Sequence, residues 1–402
     1  MGFIMQNNTT STHDPLGDAD NVIIEDKKPL VDVIHDLGVF VGRFQPVHDG
    51  HLFCIREGLK HVRYLMIVIG SANSARRPDF LPFTAQERQE MITLALTPEE
   101  RERVIFKHSE DLGNNTLWVE QVQGLAEEAA TELGLVNPSI TLVGHAKDNS
   151  SHYLKLFRMW HSVAVPAHSE LSATTIRYIY FENNREAVSK WLETNGKYMM
   201  PEAVVGWLLN FMKTDTYQLL VDEWATALAT RASWDKAPYP PTFITLDGCI
   251  FQSGHVLLVE RKAMPGKGQW ALPGGFLDQH EYLLDGCIRE IREETKLRVP
   301  ESVLRGSIFH TQVFDAPYRS MRGRTVTHCF GFHLQPKAPS RESGESMEDY
   351  SARVREALAL PKVKGSDDAA KAKWWPLNKV RRDMMFEDHY LIIQNMKSKL
   401  PQ

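Results

Sequence analysis

The sequence predicts two successive domains, an α/β domain with a parallel sheet followed by an α+β domain. The chain has 402 residues, which is more than one hydrophobic core usually organises. The first half alternates short apolar runs with amphipathic segments, whereas the second half is rich in strand patterns and has fewer helical ones. A proline-rich stretch, DKAPYPPTF at 235–243, separates the two halves.

The composition limits the classes of function. With 43% hydrophobic and 24% charged residues the chain is an ordinary globular protein, and its net charge of -5 argues against a dedicated nucleic-acid or membrane binder. The four cysteines lack metal-binding spacing, and neither a signal peptide nor a membrane-length apolar run is found. We therefore expect a cytoplasmic protein without nucleic-acid or membrane partners; a homo-oligomer remains possible.

The elements of the first domain follow from periodicity. Residues 1–36 are predicted to be a disordered tail, residues 37–185 the first domain, 186–236 a helical extension and linker, and 237–402 the second domain. The apolar runs predict strands at LGVFVGRF, Tyr64–Gly70, Val104–His108, Ile140–Gly144 and Ser162–Ala167. Helical spacing or capping predicts helices at His51–Val62, Thr84–Leu96 and Trp118–Leu133, so the sheet should be parallel.

The second domain begins with a hairpin pattern. Two apolar runs in TFITLDGCIFQSGHVLLVERK flank Ser253-Gly254, which predicts the turn. An acidic helix, a strand at Val326–Leu334 and a last helix at Phe386–Leu400 should follow.

Two stretches of the first domain suggest that it handles phosphate. GRFQPVHDGH places His48 and His51 where a strand gives way to a helix, and helix N-termini attract anions. Arg43 adds a fixed charge, although a histidine pair in a loop is often only surface. LSATTIRYI places Ser172 and Thr174 at a helix start with Arg177 one turn later; the hydroxyls could equally serve only the backbone.

Together these stretches resemble the paired HxGH and ISSTxxR-like motifs of the nucleotidyltransferase superfamily. GRFQP, GSANSARRPDFLPFTAQER and NNTLW extend the resemblance, across Gly38–Arg177, to nicotinamide mononucleotide (NMN) adenylyltransferases of archaeal type. Ala173 departs from the family, which often has a second serine there. The resemblance implies a Rossmann-like fold and transfer of AMP from ATP to NMN, with Mg²⁺ accompanying the triphosphate. Another acceptor, of the pantetheine-phosphate type, is the alternative.

The same resemblance implies roles for individual residues. His48, His51 and Arg177 would be catalytic. The ATP and phosphate ligands would be Gly42, Arg43, Phe44, Ser172 and Thr174. The NMN ligands would be Asn115 and Trp118, with Arg76 or Arg77 reaching a phosphate.

The second domain contains a helix with crowded negative charge. Glu290, Glu293 and Glu294 fall at i, i+3 and i+4, on one helix face, where like charges repel by a few tenths of a kcal/mol per pair. A solvated face would tolerate this arrangement, but a hard divalent cation would turn the repulsion into attraction.

The spacing favours the cation, because Gly275, Glu281 and REIREE at 289–294 resemble the Nudix box. Lys296 stands where the box has glycine, so the helix end should carry a left-handed residue at a cost of about 1 kcal/mol.

The Nudix resemblance implies an α/β/α sandwich and hydrolysis of a nucleoside diphosphate linked to another group. It implies Gly275, Glu290, Glu293 and Glu294 as ligands of Mg²⁺ or Mn²⁺, with Glu293 and Glu294 catalytic and Arg289 and Glu281 orienting them. With 313–330, 365–377 and FEDH at 386–389, the chain resembles bifunctional NMN adenylyltransferase/Nudix hydrolases over Gly38–Leu400, with ADP-ribose as the expected second substrate. A non-catalytic ADP-ribose sensor is the alternative, although such sensors commonly lose box glutamates.

Overall fold

The structure, a computed structural model, describes residues 34–112, 114–144, 156–157, 159–165 and 172–401. The predicted tail therefore lies outside the described residues except for its last three, and His35 and Asp36 already belong to the first strand. No helix in these ranges is long and apolar enough to cross a membrane.

The first half of the chain forms a parallel sheet, as predicted. Its strands are β1 (His35–Gly42), β2 (Val62–Ile69), β3 (Val104–His108), β4 (Ile140–Gly144) and β5 (His161–Ala164). Its first helices are α1 (Asp49–His61), α2 (Ala85–Ala95), α3 (Pro98–Arg101), α4 (Asn115–Glu132) and α5 (Ala173–Tyr180). The described strands pair in the order β3-β2-β1-β4-β5, so the winding reverses at β1. Such a reversal leaves a crevice at the carboxyl ends of the two strands beside it, here β1 and β4.

Side-chain caps determine where two of these helices begin. Thr84 Oγ1 accepts from Glu87 N at 3.2 Å, and the Glu87 carboxylate accepts from Thr84 N at 2.8 Å, which is a reciprocal capping box at the predicted start of α2. Helix α4 begins three residues before the predicted Trp118, because Asn114 Oδ1 accepts from the N–H groups of Thr116 and Leu117.

Three further helices complete the first half: α6 (Arg185–Thr194), α7 (Glu202–Phe211) and α8 (Asp215–Ala232). Their apolar residues, such as Val188, Leu208 and Leu220, share one core with Phe40 and Ile67 of the sheet. Helix α4 covers the opposite face. The predicted helical extension is therefore one of the layers packed on the sheet.

The second half forms a mixed sheet. Its elements are β6 (Thr242–Gln252), β7 (His255–Arg261), β8 (Trp270–Ala271), β9 (Gly274–Phe276), α9 (Leu283–Thr295), α10 (Glu301–Gly306), β10 (Ile308–Phe314), β11 (Arg324–His333), α11 (Met347–Leu358), β12 (Ala369–Pro376) and α12 (His389–Lys397). The main strand order is β10-β11-β6-β7-β12, with β8 beside β7 and β9 beside β6. Ser253 and Gly254 both have positive φ, 46° and 72°, as in the mirror-image two-residue turn, so the predicted hairpin is confirmed.

Side chains along β6 point alternately to the two faces of the sheet, and this alternation explains the sandwich. Leu246 and Ile250 face α9, where Ile291 is fully buried. Cys249 and Phe251 face the opposite side and pack with α12. Residues with a period of two thus give the sheet two apolar faces, each covered by a helix, and the predicted α/β/α sandwich is confirmed.

A loop between β10 and β11 joins the two halves, which belong to one compact unit. Met321 of this loop is 1% exposed and lies in the core of the first half, where Arg231 Nε donates to its carbonyl at 2.8 Å. Elsewhere Glu223 accepts from Gly266 N at 2.9 Å, and Arg382 donates to the Asp111 carbonyl at 2.7 Å. Buried apolar and polar contacts therefore fix this interface.

Lys296 ends α9 in the left-handed region, at φ 50° and ψ 30°, as the departure from the box predicts. Replacing Lys296 with glycine should raise the free energy of unfolding by about 1 kcal/mol, because glycine adopts this conformation without Cβ strain. Urea denaturation of the variant would measure the difference. A matched control is Arg292→Gly in the interior of the same helix, which should lower stability by about 1 kcal/mol. A loss of stability in Lys296→Gly would contradict the strain argument.

Candidate active sites

The first candidate site lies at the reversal point of the parallel sheet. Beyond β1 the chain turns at Phe44, whose φ is 52° and whose ring folds back over Gly42. A Cβ atom on Gly42 would lie 2.6 Å from Phe44 Cζ, so this close approach requires glycine. The buried Phe44 ring lies 4.9 Å from the ring of His51, measured between centroids. The Phe44 ring therefore packs against the His51 ring.

The two histidines lie at the N-terminus of α1. Their ring centroids are 3.8 Å apart, and His48 N donates to His51 Nδ1 at 3.2 Å. A neutral His51 that accepts at Nδ1 carries its proton on Nε2, which makes Nε2 a donor. With the positive end of the helix dipole, this arrangement is suited to phosphate oxygens.

Arg177 connects the second motif to the first. Its guanidinium group donates to Gln45 O at 2.7 Å, Asp79 O at 3.0 Å and Thr174 Oγ1 at 3.0 Å. Burial lowers the pKa of Arg177 to about 10, which leaves it charged at neutral pH. Ser172 caps α5 by accepting from Thr174 N at 3.2 Å. The hydroxyls of Ser172 and Thr174 thus serve the local structure around Arg177.

The other arginines predicted for this site have different surroundings. Arg43 is exposed and its Cζ lies 4.3 Å from the centroid of the Phe80 ring. Arg76 forms a bidentate pair with Glu87 at 2.6 and 2.9 Å. Arg77 pairs with Asp79 and donates across the interface to the carbonyls of Tyr318 and Arg319. Both Arg76 and Arg77 are therefore already bound by protein groups.

Asn115 and Trp118 lie on the first turns of α4. Asn115 is exposed, whereas Trp118 is half-buried and packs edge-on against Phe157, with 5.6 Å between the ring centroids. Trp118 thus belongs partly to the core beneath the helix.

Arg88 has a role here that sequence reasoning missed. It is 1% exposed and donates to Arg43 O at 2.9 Å, Gly70 O at 2.6 Å and Thr84 O at 3.1 Å. Burial lowers its pKa to about 10. This cation joins the segments that follow β1 and β2, and the only signal in the sequence was an arginine on the apolar face of α2.

The second candidate site lies between β9 and α9. Glu294 is buried, and its carboxylate accepts from Gly274 N at 3.0 Å. Glu290, one turn earlier, lies so close to Gly275 that a Cβ atom there would be 2.5 Å from Glu290 Oε1. Glycine at this position therefore lets the main chain of β9 lie directly against the carboxylate.

Arg289 holds the remaining acidic groups. It forms a bidentate pair with Glu281 at 3.0 and 2.8 Å and donates to Glu290 and Glu293, each at 2.9 Å. The hydrogen bonds that Arg289 donates to Glu281 are the largest cause of the raised pKa of Arg289. The repulsion expected from the sequence is thus offset within the helix by one guanidinium group.

Comparison with known proteins assigns both halves. The cytidylyltransferase-like family matches residues 39–177, and the NUDIX domain family matches residues 244–396. A nicotinamide/nicotinic acid mononucleotide adenylyltransferase of Acinetobacter baylyi is 36% identical over 46% of this chain and 91% of its own length. A crystal structure of a bifunctional NMN adenylyltransferase/ADP ribose pyrophosphatase from Francisella tularensis, complexed with AMP and a manganese ion, is 30% identical. The structural match covers 90% of this chain and 99% of the Francisella chain, with a TM-score of 0.75.

The chain belongs to this bifunctional family. Its first half is a nucleotidyltransferase domain and its second half is a Nudix hydrolase domain, and the sequence predicted both. An ADP-ribose pyrophosphatase of Methanocaldococcus jannaschii is also similar, with 37% identity over 22% of this chain and 48% of that protein. The alternatives of a pantetheine-phosphate acceptor and of a non-catalytic sensor are not favoured.

The acidic residues of the Nudix half suit a hard divalent cation in their chemistry. Burial, together with the charge of Glu290, raises the pKa of Glu294 to about 8, even though the N–H of Gly274 opposes the shift. Burial likewise raises the pKa of Glu290. Within the described residues, no cluster of three or more carboxylate, imidazole or thiol groups is arranged to bind a metal ion. Glu290 and Glu293 instead accept hydrogen bonds from Arg289. A cation would relieve the cost of ionising the buried Glu294 and the half-buried Glu290.

Asp247 is a second residue that sequence reasoning missed. It lies on β6 and is 5% exposed, and its Oδ2 accepts from Thr327 Oγ1 at 2.5 Å. A Cβ atom on Gly274 would lie 2.9 Å from Asp247 Oδ1, so this carboxylate borders the strand that binds Glu294. Burial raises its pKa. A single aspartate in the apolar run TFITLDGCIF was the available signal.

Proposed function

We propose that this chain transfers AMP from ATP to NMN, giving NAD and pyrophosphate, and separately hydrolyses ADP-ribose to AMP and ribose 5-phosphate. We assign the first reaction to residues 37–185 with the helices of 186–236, and the second to residues 237–402. The observation that carries the proposal is the presence of two arrangements in one chain. One is the histidine pair at a helix N-terminus, with Arg177 bound to Gln45 of the same motif, and the other is the set of glutamates ordered by Arg289.

In the first reaction we propose that His48, His51 and Arg177 bind the phosphates of ATP, with Arg43 at the rim. Gly42 and Phe44 shape the turn, while Ser172 and Thr174 hold the start of α5. Adenylyl transfer needs positioned charge and no covalent nucleophile. The main-chain anchors of Arg177 meet this need, because they fix its charge before the substrate arrives.

We propose that NMN binds beside Asn115 and Trp118. An aromatic face suits a cationic pyridinium ring, and Asn115 supplies an exposed amide on the same helical turn. Arg76 and Arg77 support this site indirectly, since both guanidinium groups are bound to carboxylates within the protein.

Trp118→Ala should raise the Michaelis constant for NMN roughly 5- to 30-fold, while that for ATP changes little, because desolvated cation–π stacking contributes about 1–2 kcal/mol. Steady-state kinetics with each substrate varied in turn would measure the two constants. Trp118→Phe is the matched control and should retain most of the affinity, because it keeps an aromatic face. A folded alanine variant with unchanged affinity for NMN would exclude the stacking role.

In the second reaction we propose that Glu290, Glu293, Glu294 and the Gly275 carbonyl hold Mg²⁺, with Mn²⁺ as a possible substitute. When bound, the cation would supply Lewis acidity at the diphosphate. Arg289 and Glu281 keep the carboxylates of the helix oriented. Gly274 N donates to one carboxylate oxygen of Glu294, and we propose that the other oxygen binds the cation.

Mass-spectrometric product analysis tests both assignments. Purified protein would receive ATP with NMN, nicotinic acid mononucleotide or pantetheine phosphate, and in a second series ADP-ribose with Mg²⁺ or Mn²⁺. We expect NAD from the first series and AMP with ribose 5-phosphate from the second. Product only from pantetheine phosphate would contradict the first assignment. Bound but intact ADP-ribose would contradict the second and favour a sensor.

A further inference from the structure

Two arginines border the hydrolase site without belonging to the Nudix box. Arg261 ends β7 and Arg322 precedes β11, and their Cζ atoms lie 4.0 and 5.7 Å from the centroid of the same Phe386 ring. The Arg322 Cζ also lies 5.1 Å from the centroid of Phe276, which ends the strand that binds Glu294. Both guanidinium groups are thus at the edge of the site where the buried glutamate lies.

Carboxylates such as Glu387 and Glu294 lie near Arg261, but among the described residues none is in direct contact with either arginine of this pair. Nearby, Arg319 forms a bidentate pair with Asp388 at 2.9 and 2.8 Å. Across the ranges that the structure describes, neither Arg261 nor Arg322 has an ion pair, and their side-chain hydrogen bonds run from Nε to Pro265 O and Ser320 Oγ. After burial, the nearby charge of Arg322 is the next cause of a lowered pKa of Arg261. Two such cations repel each other unless an anion lies between them.

The first half of the chain fixes the position of Arg322. The preceding residue, Met321, is buried in the core of the nucleotidyltransferase domain, and Arg231 holds its carbonyl. On the other side the Met321 N–H donates to Glu387 Oε1 at 3.1 Å. The main chain next to Arg322 is therefore held from both halves, which limits where its guanidinium group can lie.

We infer that Arg261 and Arg322 bind the diphosphate of the hydrolase substrate, and that the nucleotidyltransferase half positions Arg322 for this purpose. The inference rests on the proposed hydrolysis of a nucleoside diphosphate. A diphosphate that approaches Glu290 and Glu294 meets negative charge, so fixed cations are needed beside those carboxylates. Arginine suits this task, because its planar donors match phosphate oxygens in pairs.

Calorimetric binding of ADP-ribose in EDTA isolates this contact from catalysis. We expect Arg261→Gln and Arg322→Gln each to weaken binding of ADP-ribose roughly 10- to 100-fold, as for a lost charged hydrogen bond, while binding of adenosine changes little. Arg322→Lys should fall between Arg322→Gln and the parent. Arg355→Gln on α11, a helix without buried residues, makes the same change in net charge and should bind like the parent.

Arg231→Gln tests the positioning. It should weaken ADP-ribose binding in the parent but have no further effect in an Arg322→Gln background, because it acts through Arg322. Thermal melts would establish that each variant is folded. Failure of the parent to bind or cleave ADP-ribose would remove the proposed hydrolase function and this inference with it. An active parent whose two glutamine variants bind ADP-ribose normally would overturn the inference alone, and additive effects of Arg231→Gln and Arg322→Gln would overturn the positioning.

Discussion

His51→Ala is expected to lower the rate of NAD synthesis by about 10²–10³-fold and to leave ADP-ribose hydrolysis at the parental rate. His51 Nδ1 accepts from His48 N, so the neutral ring carries its proton on Nε2, and we propose that Nε2 donates this proton to a phosphate oxygen. A donor that strengthens its contact as charge develops lowers the barrier more than it tightens ground-state binding. Hydrolysis serves as the internal control, since the Nudix glutamates lie in the other half.

Two variants separate this catalytic role from helix capping. The His51 ring accepts from the N-cap residue, and loss of such a contact costs about 0.5–2 kcal/mol. Asparagine can replace Nδ1 as that acceptor but cannot reach as far as Nε2, so His51→Asn should melt like the parent and remain inactive. His51→Gln should recover part of the rate. His61→Ala at the other end of α1 is the matched control. NAD synthesis by folded His51→Asn at more than half the parental rate would refute the assignment.

The elements that the sequence predicted well are those fixed by neighbouring residues. The capping box of Thr84 and Glu87 determines the start of α2, and the pair Ser253-Gly254 determines the hairpin turn. Lys296 shows the same principle, because its replacement of the glycine of the Nudix box predicted a left-handed residue at the end of α9. In each case the determining atoms lie within a few residues of one another along the chain.

The features that were missed depend on distant partners. Strands β10 and β12 carry half-exposed residues, and their assignment depends on pairing with β11 and β7. Helices α6 to α8 read as an extension, yet their apolar faces complete the core of the first sheet. The docking of Met321 in the other half has no counterpart in periodicity, because the partner surface is remote in sequence.

The candidate sites show the same division. Motif spacing predicted which groups surround each site, including Arg289 beside Glu281. It did not predict that Arg76 and Arg77 would be held by Glu87 and Asp79, because several acidic side chains were within reach. Arg88 and Asp247 were also missed, since a buried charge cannot be recognised until its partners are known.

Glu294→Gln is expected to remove most ADP-ribose hydrolysis and, without metal, to make the protein more stable than the parent at pH 8.5. The pKa of Glu294 is raised from 4.5 to about 8, so the folded parent binds an extra proton between these values. Its free energy of unfolding therefore falls as pH rises through this window. Glutamine resembles the protonated carboxyl, so the variant should lack this fall and exceed the parent by on the order of 1–3 kcal/mol at pH 8.5. Thermal melts in EDTA from pH 5 to 8.5 measure the difference.

Glu293→Gln provides the contrast, because the Glu293 side chain is 42% exposed and bound to Arg289. It should also remove most of the activity, but its metal-free stability should still fall between pH 5 and 8.5, because this variant retains Glu294. Mg²⁺ should stabilise the parent in proportion to the logarithm of its free concentration, and both glutamine variants less, because each has lost a ligand. Lys296→Gly retains every acidic group and should show the parental metal shift on a higher baseline. Equal Mg²⁺ shifts in all four proteins would mean that these carboxylates form only a solvated face, and the metal assignment would then be wrong.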